Sequence, residues 1–538
     1  MKKILFLLFL GLLGLLTSCT TSPEQAPPPA QVNLDNTVSD LARVVESPAT
    51  TVRGFGIVAG LFGTGSAECP PELRQELEKY IWQQLPKAGT LSPRQFINSL
   101  DTAVVEIIGV IPPMATVGQS FDVVIRPLSS TQTTSLSGGQ LYTTDLKEIS
   151  HLTQFNQYAK TVARAQGPIF TGGSTDPNAA PWYVLGGGYP LSDVNVSLLL
   201  NEPDFKAAGA IRNRINERFG AKIANAVSAG EIQLFIPDKY RDDKMRFLTM
   251  IRQLYLAEQP ALKQQRIDTL IGKLQTESDK LIPEVALEAF GKASVDKLAN
   301  LLKSEDDAVR FHAARCLSNI GDPRALPVLR EFVFDPQWPY RSDALRTLGR
   351  NAARSDAEPV FLKAMEQEDM ELRLAAYEAA LAAKSSSVNR TLIVAGNFFV
   401  DKVLCNGPKV VYAFQRDKPC IVIFGSPIRC GDSIFLQSDN GEVTLNARPG
   451  DKHISVSRKH PNRPRVFGPI ASGFELTQLI HALGESPEPK QGATALPGLS
   501  LSYSQIIEII EKMCKNDVIN AKYVQGPVTN AGEVLKNL

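Results

Sequence analysis

The chain has 538 residues, 57 Lys and Arg against 56 Asp and Glu, and a formal net charge of +1, so it carries no general electrostatic footprint for nucleic acid. Its length allows three or four domains with sizeable cores. Its cysteines form no CxxC pair and its five histidines (His151, His312, His453, His460, His481) form no HExxH, so neither a metal nor a cofactor is expected.

The first element reads as a signal peptide. Lys2 and Lys3 precede an apolar run, Ile4 to Leu16, that is too short to span a bilayer. It ends in LTSC, which is similar to a bacterial lipobox and makes Cys19 the lipidated N-terminus of the mature chain. Thr20 stands where Asp would favour inner-membrane retention, which points to the outer membrane. TTSPEQAPPPAQ follows, with little to bury and three consecutive prolines, and reads as an extended tether.

Next comes VRGFGIVAGLFGTGS, Val52 to Ser66, with Gly54, Gly56, Gly60, Gly63 and Gly65. The spacing from Gly60 begins like a P-loop, but Ser66 occupies the place of the lysine that would neutralise phosphate charge. Gly54, Gly56 and Ala59 satisfy a dinucleotide fingerprint, yet no helix opens until after Pro70-Pro71. The structural reading is a short strand with Phe55, Ile57 and Ala59 in alternation. Its glycines would supply positive φ and close backbone approach, at a turn within the subunit or at an edge between subunits. No catalytic constellation is present elsewhere.

PPELRQELEKYIWQQL then predicts a helix, and TAVVEIIGVIP and SFDVVIRPL predict strands joined by a Pro/Gly-rich turn. VNVSLLLN, PDFKAAGAIRNRINERFG, EIQLFIP and DKMRFLTMIRQL predict a β-α-β-α unit ending near Leu256. Its first helix would bury a stripe of Phe205, Ala208, Ile211, Ile215 and Phe219.

Three stretches between Asp307 and Ala383 then align, with Arg310, Arg341 and Arg373 about 31 residues apart. After the first, Gly321 would end the helix, Asp322 cap the next and Pro323 open it, with Leu326, Leu329 and Val333 or Phe332 buried. A degenerate copy lies upstream, ending near Lys303. The pattern VRxxAAxxLxxxGDPRALPxL resembles short bacterial HEAT repeats, which implies a solenoid that either receives a protein partner on its concave face or acts as a spacer.

Beyond the repeats, KVVYAF, CIVIFG, DSIFLQ and EVTLN predict short strands. Two helices follow, around LTQLIHALG and SYSQIIEIIEKMCK. With Gly425 at a hairpin turn, Cys420 and Cys430 would face each other as a candidate disulfide. The run SRKHPNRPR, with Arg458, Lys459, His460, Arg463 and Arg465, is either a solvated loop or a contact for anionic cell-wall polymer or lipid headgroups.

The order of these motifs resembles the flagellar basal-body P-ring protein family. GFGIVAGLFGTGS is similar to its GYGLVVGLxGTGD. VVEIIGVIPPMATVGQSFDVVI matches its proline-rich strand region through Pro112, Pro113, Gly118 and Asp122. SLSGGQLYTTDL matches through Gly138 and Gly139, and SLLLNEPDF through Pro203, Asp204 and Phe205. The strands and helices from Pro408 to Tyr523 continue the likeness by order. Three features depart from the family: Ser66 in place of Asp, VLGGGYP (Val184 to Pro190) in place of a segment close to RIPNGA, and the lipid signal.

The resemblance implies an α+β multidomain fold, with mixed β/α units of P-ring type flanking an inserted HEAT-like solenoid. The expected divisions are residues 1–18 (signal), 19–42 (tether), 43–258 (N-terminal α/β region), 259–390 (repeats) and 391–538 (C-terminal strands and helices). The implied function is a non-enzymatic ring subunit around the flagellar rod in the periplasm. Its partners would be copies of itself, rod and L-ring proteins, peptidoglycan, and a membrane reached through the lipid at Cys19. The alternatives are a non-flagellar envelope scaffold that binds a partner through its repeats and, as a third class, a nucleotide-dependent enzyme.

Overall fold

A computed structural model describes residues 36–84, 92–149, 160–171, 181–257, 259–459, 466–487 and 498–532. The leader, Cys19, the tether up to residue 35, His151 and the basic stretch from His460 to Arg465 lie outside them.

Helix α1 (Val38–Leu41) and strand β1 (Ala42–Glu46) come first, and their partners arrive only after an intervening barrel. Residues 36–41 were expected in the tether but are folded. Val38 is fully buried and its N–H donates to the Leu254 carbonyl, because VSDL offers an apolar side chain to a core formed much later in the chain.

The barrel is built from β2 (Thr50–Ala59), helices α2 (Pro71–Gln84) and α3 (Pro93–Ile97), β3 (Thr102–Ile111), β4 (Phe121–Pro127), β5 (Gln140–Glu148), β6 (Thr161–Pro168), the short β7 (Phe170–Thr171) and β8 (Trp182–Pro190). Its strands pair antiparallel in the order β4-β3-β2-β5-β6-β8, and β8 returns to β4, closing the sheet and leaving β7 appended to β8. Closure removes the free edges that an open sheet of these apolar strands would expose. Val52, Val58, Val105, Ile107, Val123 and Leu146 fill the interior.

The chain then returns to the first sheet with β9 (Val196–Leu200), α4 (Phe205–Phe219), β10 (Ala224–Ala226), β11 (Glu231–Leu234) and α5 (Lys244–Arg252). The sheet order is β1-β9-β11-β10, all antiparallel. The predicted β-α-β-α unit is present. However, Phe205 is 79% exposed, because it is the first residue after the N-cap Asp204 and turns away from the buried stripe of Ala208, Ile211 and Ile215.

The solenoid comprises α6 (Pro260–Thr276), α7 (Leu281–Phe290), α8 (Val295–Leu301), α9 (Asp307–Ile320), α10 (Ala325–Phe334), α11 (Arg341–Asn351), α12 (Arg354–Met365) and α13 (Met370–Ala382). Gly321 ends α9 in the left-handed conformation, as its position predicted. The next helix opens later than expected, at Ala325. Asp322 accepts from the Arg324 N–H and guanidinium within the turn.

The C-terminal region adds β12 (Val388–Ile393), β13 (Phe398–Val403), β14 (Val410–Gln415), β15 (Cys420–Phe424), β16 (Ile434–Gln437), β17 (Val443–Ala447), β18 (Ile454–Lys459), β19 (Val466–Ser472), α14 (Leu476–Gly484), α15 (Tyr503–Lys515) and β20 (Lys522–Val528). One mixed sheet runs β12-β13-β15-β14-β20, and β16 to β19 form an antiparallel meander. The whole is α+β and multidomain.

The hairpin beside Cys420 is the one joining β14 to β15, not one at Gly425, so Cys420 and Cys430 do not face each other. Cys420 packs into the core shared with the solenoid, whereas Cys430 packs into the core beneath α14 and α15. Both thiols are free, and burial raises the Cys430 pKa to about 12, with nearby Cys514 adding to the shift.

Candidate functional site

The glycine-rich strand and loop lie on the barrel. In β2, a Cβ at Gly54 would sit 2.4 Å from the Asp145 carbonyl oxygen, and one at Gly56 would sit 2.1 Å from Thr144 Oγ1. Both glycines therefore let β5 cross close over β2, where the pairing register shifts between Arg53 and Val58. Phe55 and Ile57 face the other way, toward α2 and α3. There, with Leu77, Tyr80, Phe96 and Tyr142, they line a small aromatic hollow floored by Gly56. Tyr80 donates to Asp145 at 3.0 Å, and Asp145 also holds Arg164 at 2.7 Å.

The loop that follows turns through left-handed backbone at Gly60 (φ +83°), Phe62 (+50°) and Gly63 (+94°). Four of its amides are engaged. The N–H groups of Leu61, Thr64, Gly65 and Ser66 donate to the carbonyls of Asp101, Leu61, Leu100 and Thr102 at 2.8–3.1 Å. The Thr64 carbonyl accepts from Thr134, and the Thr64 hydroxyl donates to Ser135. A phosphate cradle requires such amides to point at a ligand. Here they stitch the loop to residues 100–102 instead. Ser66, at the position of the missing lysine, is buried and accepts from the Glu68 N–H, while the Glu68 carboxylate takes the Gln132 N–H at 2.9 Å. The segment packs as strand and turn, and Gly60, Phe62 and Gly63 at its tip are exposed.

Asp122 shows a role that its motif position did not reveal. One carboxylate oxygen accepts from the Gly186 N–H at 2.7 Å and from the Asp417 N–H at 3.2 Å, joining β4, β8 and the β14–β15 turn. Gly186 has φ +57°, and a Cβ there would meet the Asp417 carbonyl at 2.4 Å. VLGGGYP is thus part of the barrel's contact with the C-terminal region. Burial, with Asp122 beside it, raises the Asp417 pKa. An Asp122→Ala chain, with two amides left without an acceptor, is expected to lose about 1–3 kcal/mol, read as a lower urea midpoint.

The described part of the basic run serves the fold. Arg458 donates to the carbonyls of Leu499 and Ser500 at 3.1 Å and faces Glu442. Among the described residues no group of three or more His, Cys, Asp and Glu is placed to hold a metal, and no helix is long and apolar enough to cross a membrane.

Comparison with known proteins places these features. The family model for the flagellar P-ring protein matches residues 37–181 and 191–269, and that for HEAT repeats matches residues 267–343. The gap between the two P-ring stretches coincides with β8, where the sequence departs from the family pattern. The flagellar P-ring protein of Thermotoga petrophila is 29% identical over 218 residues, covering 37% of this chain and 61% of that protein. That of Aquifex aeolicus is 28% identical over 246 residues (42% and 63%), and that of Helicobacter pylori 26% identical over 246 residues (44% and 67%). The chain spans about three fifths of the length of the first of these curated relatives. Across its barrel and first sheet, the chain is similar to the flagellar P-ring protein family, and a match to HEAT repeats follows.

Proposed function

We propose that this chain is a structural subunit of a ring in the bacterial envelope, closing around the rod of a flagellar basal body in the periplasm. The observation that carries the reading is the P-ring match over the barrel and first sheet. The glycine loop agrees with it, since the N–H groups of Leu61, Thr64, Gly65 and Ser66 are spent on the chain's own carbonyls. Copies of the chain would meet through identical heterologous contacts, which close a ring when the rotation between neighbours divides a full turn. The mechanism is passive: the subunit bears on a rotating rod and catalyses nothing. The LTSC sequence supports acylation at Cys19, with the outer membrane as its site, and the C-terminal strands and helices complete the P-ring-like body.

The test is to isolate envelope complexes from cells producing the chain and image them. Rings that label with an antibody to the chain and enclose a rod are the expected result. The chain recovered from envelopes without rings would overturn the reading and favour a scaffold.

A further inference from the structure

The solenoid's two ends are both taken up by the chain's own flanks. At the first end, Arg246 of α5 pairs with Glu284 of α7 at 2.5 Å and with Glu288. Glu284 also receives Arg315 at 2.5 Å and His312 at 2.6 Å from α9. From α4, Arg218 donates to the carbonyls of Glu288 and Ala289; further along the solenoid, Arg350 of α11 meets Asp243, the N-cap of α5, at 2.9 Å.

At the other end, α13 is followed by a strand in place of a partner helix. Val388, Val403, Val410, Val422 and Phe424 of the mixed sheet share one continuous core with the solenoid helices. Tyr377 donates to Asp401 at 2.5 Å, and Arg390 holds the same carboxylate at 2.7 Å. The repeat arginines record the difference. Arg310 and Arg341 stay partly exposed and pair with carboxylates, Glu331 and Asp369 among them. Arg373 at the equivalent place is 1% exposed, donates to the Pro408 carbonyl at 2.6 Å and lies over the Phe424 ring.

Three further contacts close the circuit. Asp122 and Thr171 of the barrel meet Asp417 and Gln415 of the C-terminal region, and Lys244 of α5 reaches the Met114 carbonyl of the barrel at 2.7 Å.

We propose that the solenoid is an internal strut, which fixes the spacing between the P-ring-type region and the C-terminal sheets and has both ends occupied by this chain rather than by an outside protein. The proposal stands apart from the ring reading, since it concerns one subunit. It implies that solenoid and flanks open together. Hydrogen exchange of the full chain, followed by mass spectrometry across a urea series, reads this directly. The expected result is that peptides from α7 to α13 and from β12 to β15 share one urea dependence, and that Arg246→Met speeds exchange at least tenfold in both α5 and α7. Should Arg246→Met fail to fold, Tyr377→Phe serves at the other end, with exchange expected to rise together in α13 and β13. A solenoid that exchanges on its own in the unaltered chain, or a variant whose effect stops at the junction, would overturn the proposal.

Discussion

A Glu284→Ala chain is expected to lose about 3–5 kcal/mol of stability, the usual cost of removing one partner from a buried ion cluster. Glu284 is fully buried, and the Arg246, Arg315 and His312 side chains all converge on it. Burial alone would raise its pKa, but the two guanidiniums outweigh that and hold it well below the ordinary value of 4.5. The sign follows from the depressed native pKa. The stability that Glu284 adds is present above its unfolded value and is lost as pH falls below about 4.5 toward the native one. Urea midpoints of the two chains should therefore differ widely at neutral pH and approach each other in acid. A gap that stays constant down to acid pH would show that the cluster's charge is not what holds the solenoid to α5.

Gly65→Val should be comparably damaging, at about 3 kcal/mol or more, through steric overlap rather than charge. A Cβ at Gly65 would lie 2.1 Å from the Thr102 carbonyl oxygen and 2.7 Å from that of Leu100, both backbone atoms that cannot swing aside. Moving the loop would break the Gly65 and Ser66 bonds to residues 100 and 102. Gly63→Ala is the control. Nothing lies within 4 Å of its Cβ, so only the positive φ penalises it, at about 1–2 kcal/mol. Thermal midpoints in the order wild type, Gly63→Ala, Gly65→Val are expected. Equal midpoints for the two variants would mean that the loop is not pressed against residues 100–102.

Local pattern carried much of this architecture. The alternation of Phe55, Ile57 and Ala59 marked β2, and the recurring arginines marked the solenoid, because both report on neighbours a few residues away or one repeat apart. What surrounds the glycines argued against a phosphate cradle: a serine where a cradle needs lysine, and no helix until after Pro70. Contacts between distant segments were not readable. Closure of the barrel depends on β4 meeting β8, and the covering of Arg373 depends on a sheet with no repeat signature. Phe205 fits the apolar stripe by spacing alone, yet at the first helical position it is left exposed. The expected Cys420–Cys430 pair failed for a similar reason, since the turn that matters comes before Cys420.

The pairing of β1 with β9 sets a timetable for synthesis. Ala42 leaves the ribosome long before Leu200, the residue it must pair with, and every strand of the barrel emerges in between. During that interval the nascent first strand has no native neighbour, so an early-folding barrel would have to tolerate a dangling segment at its entrance. Such a late, long-range closure is slow in general. It makes the docking of β1 one of the last steps available to the N-terminal half.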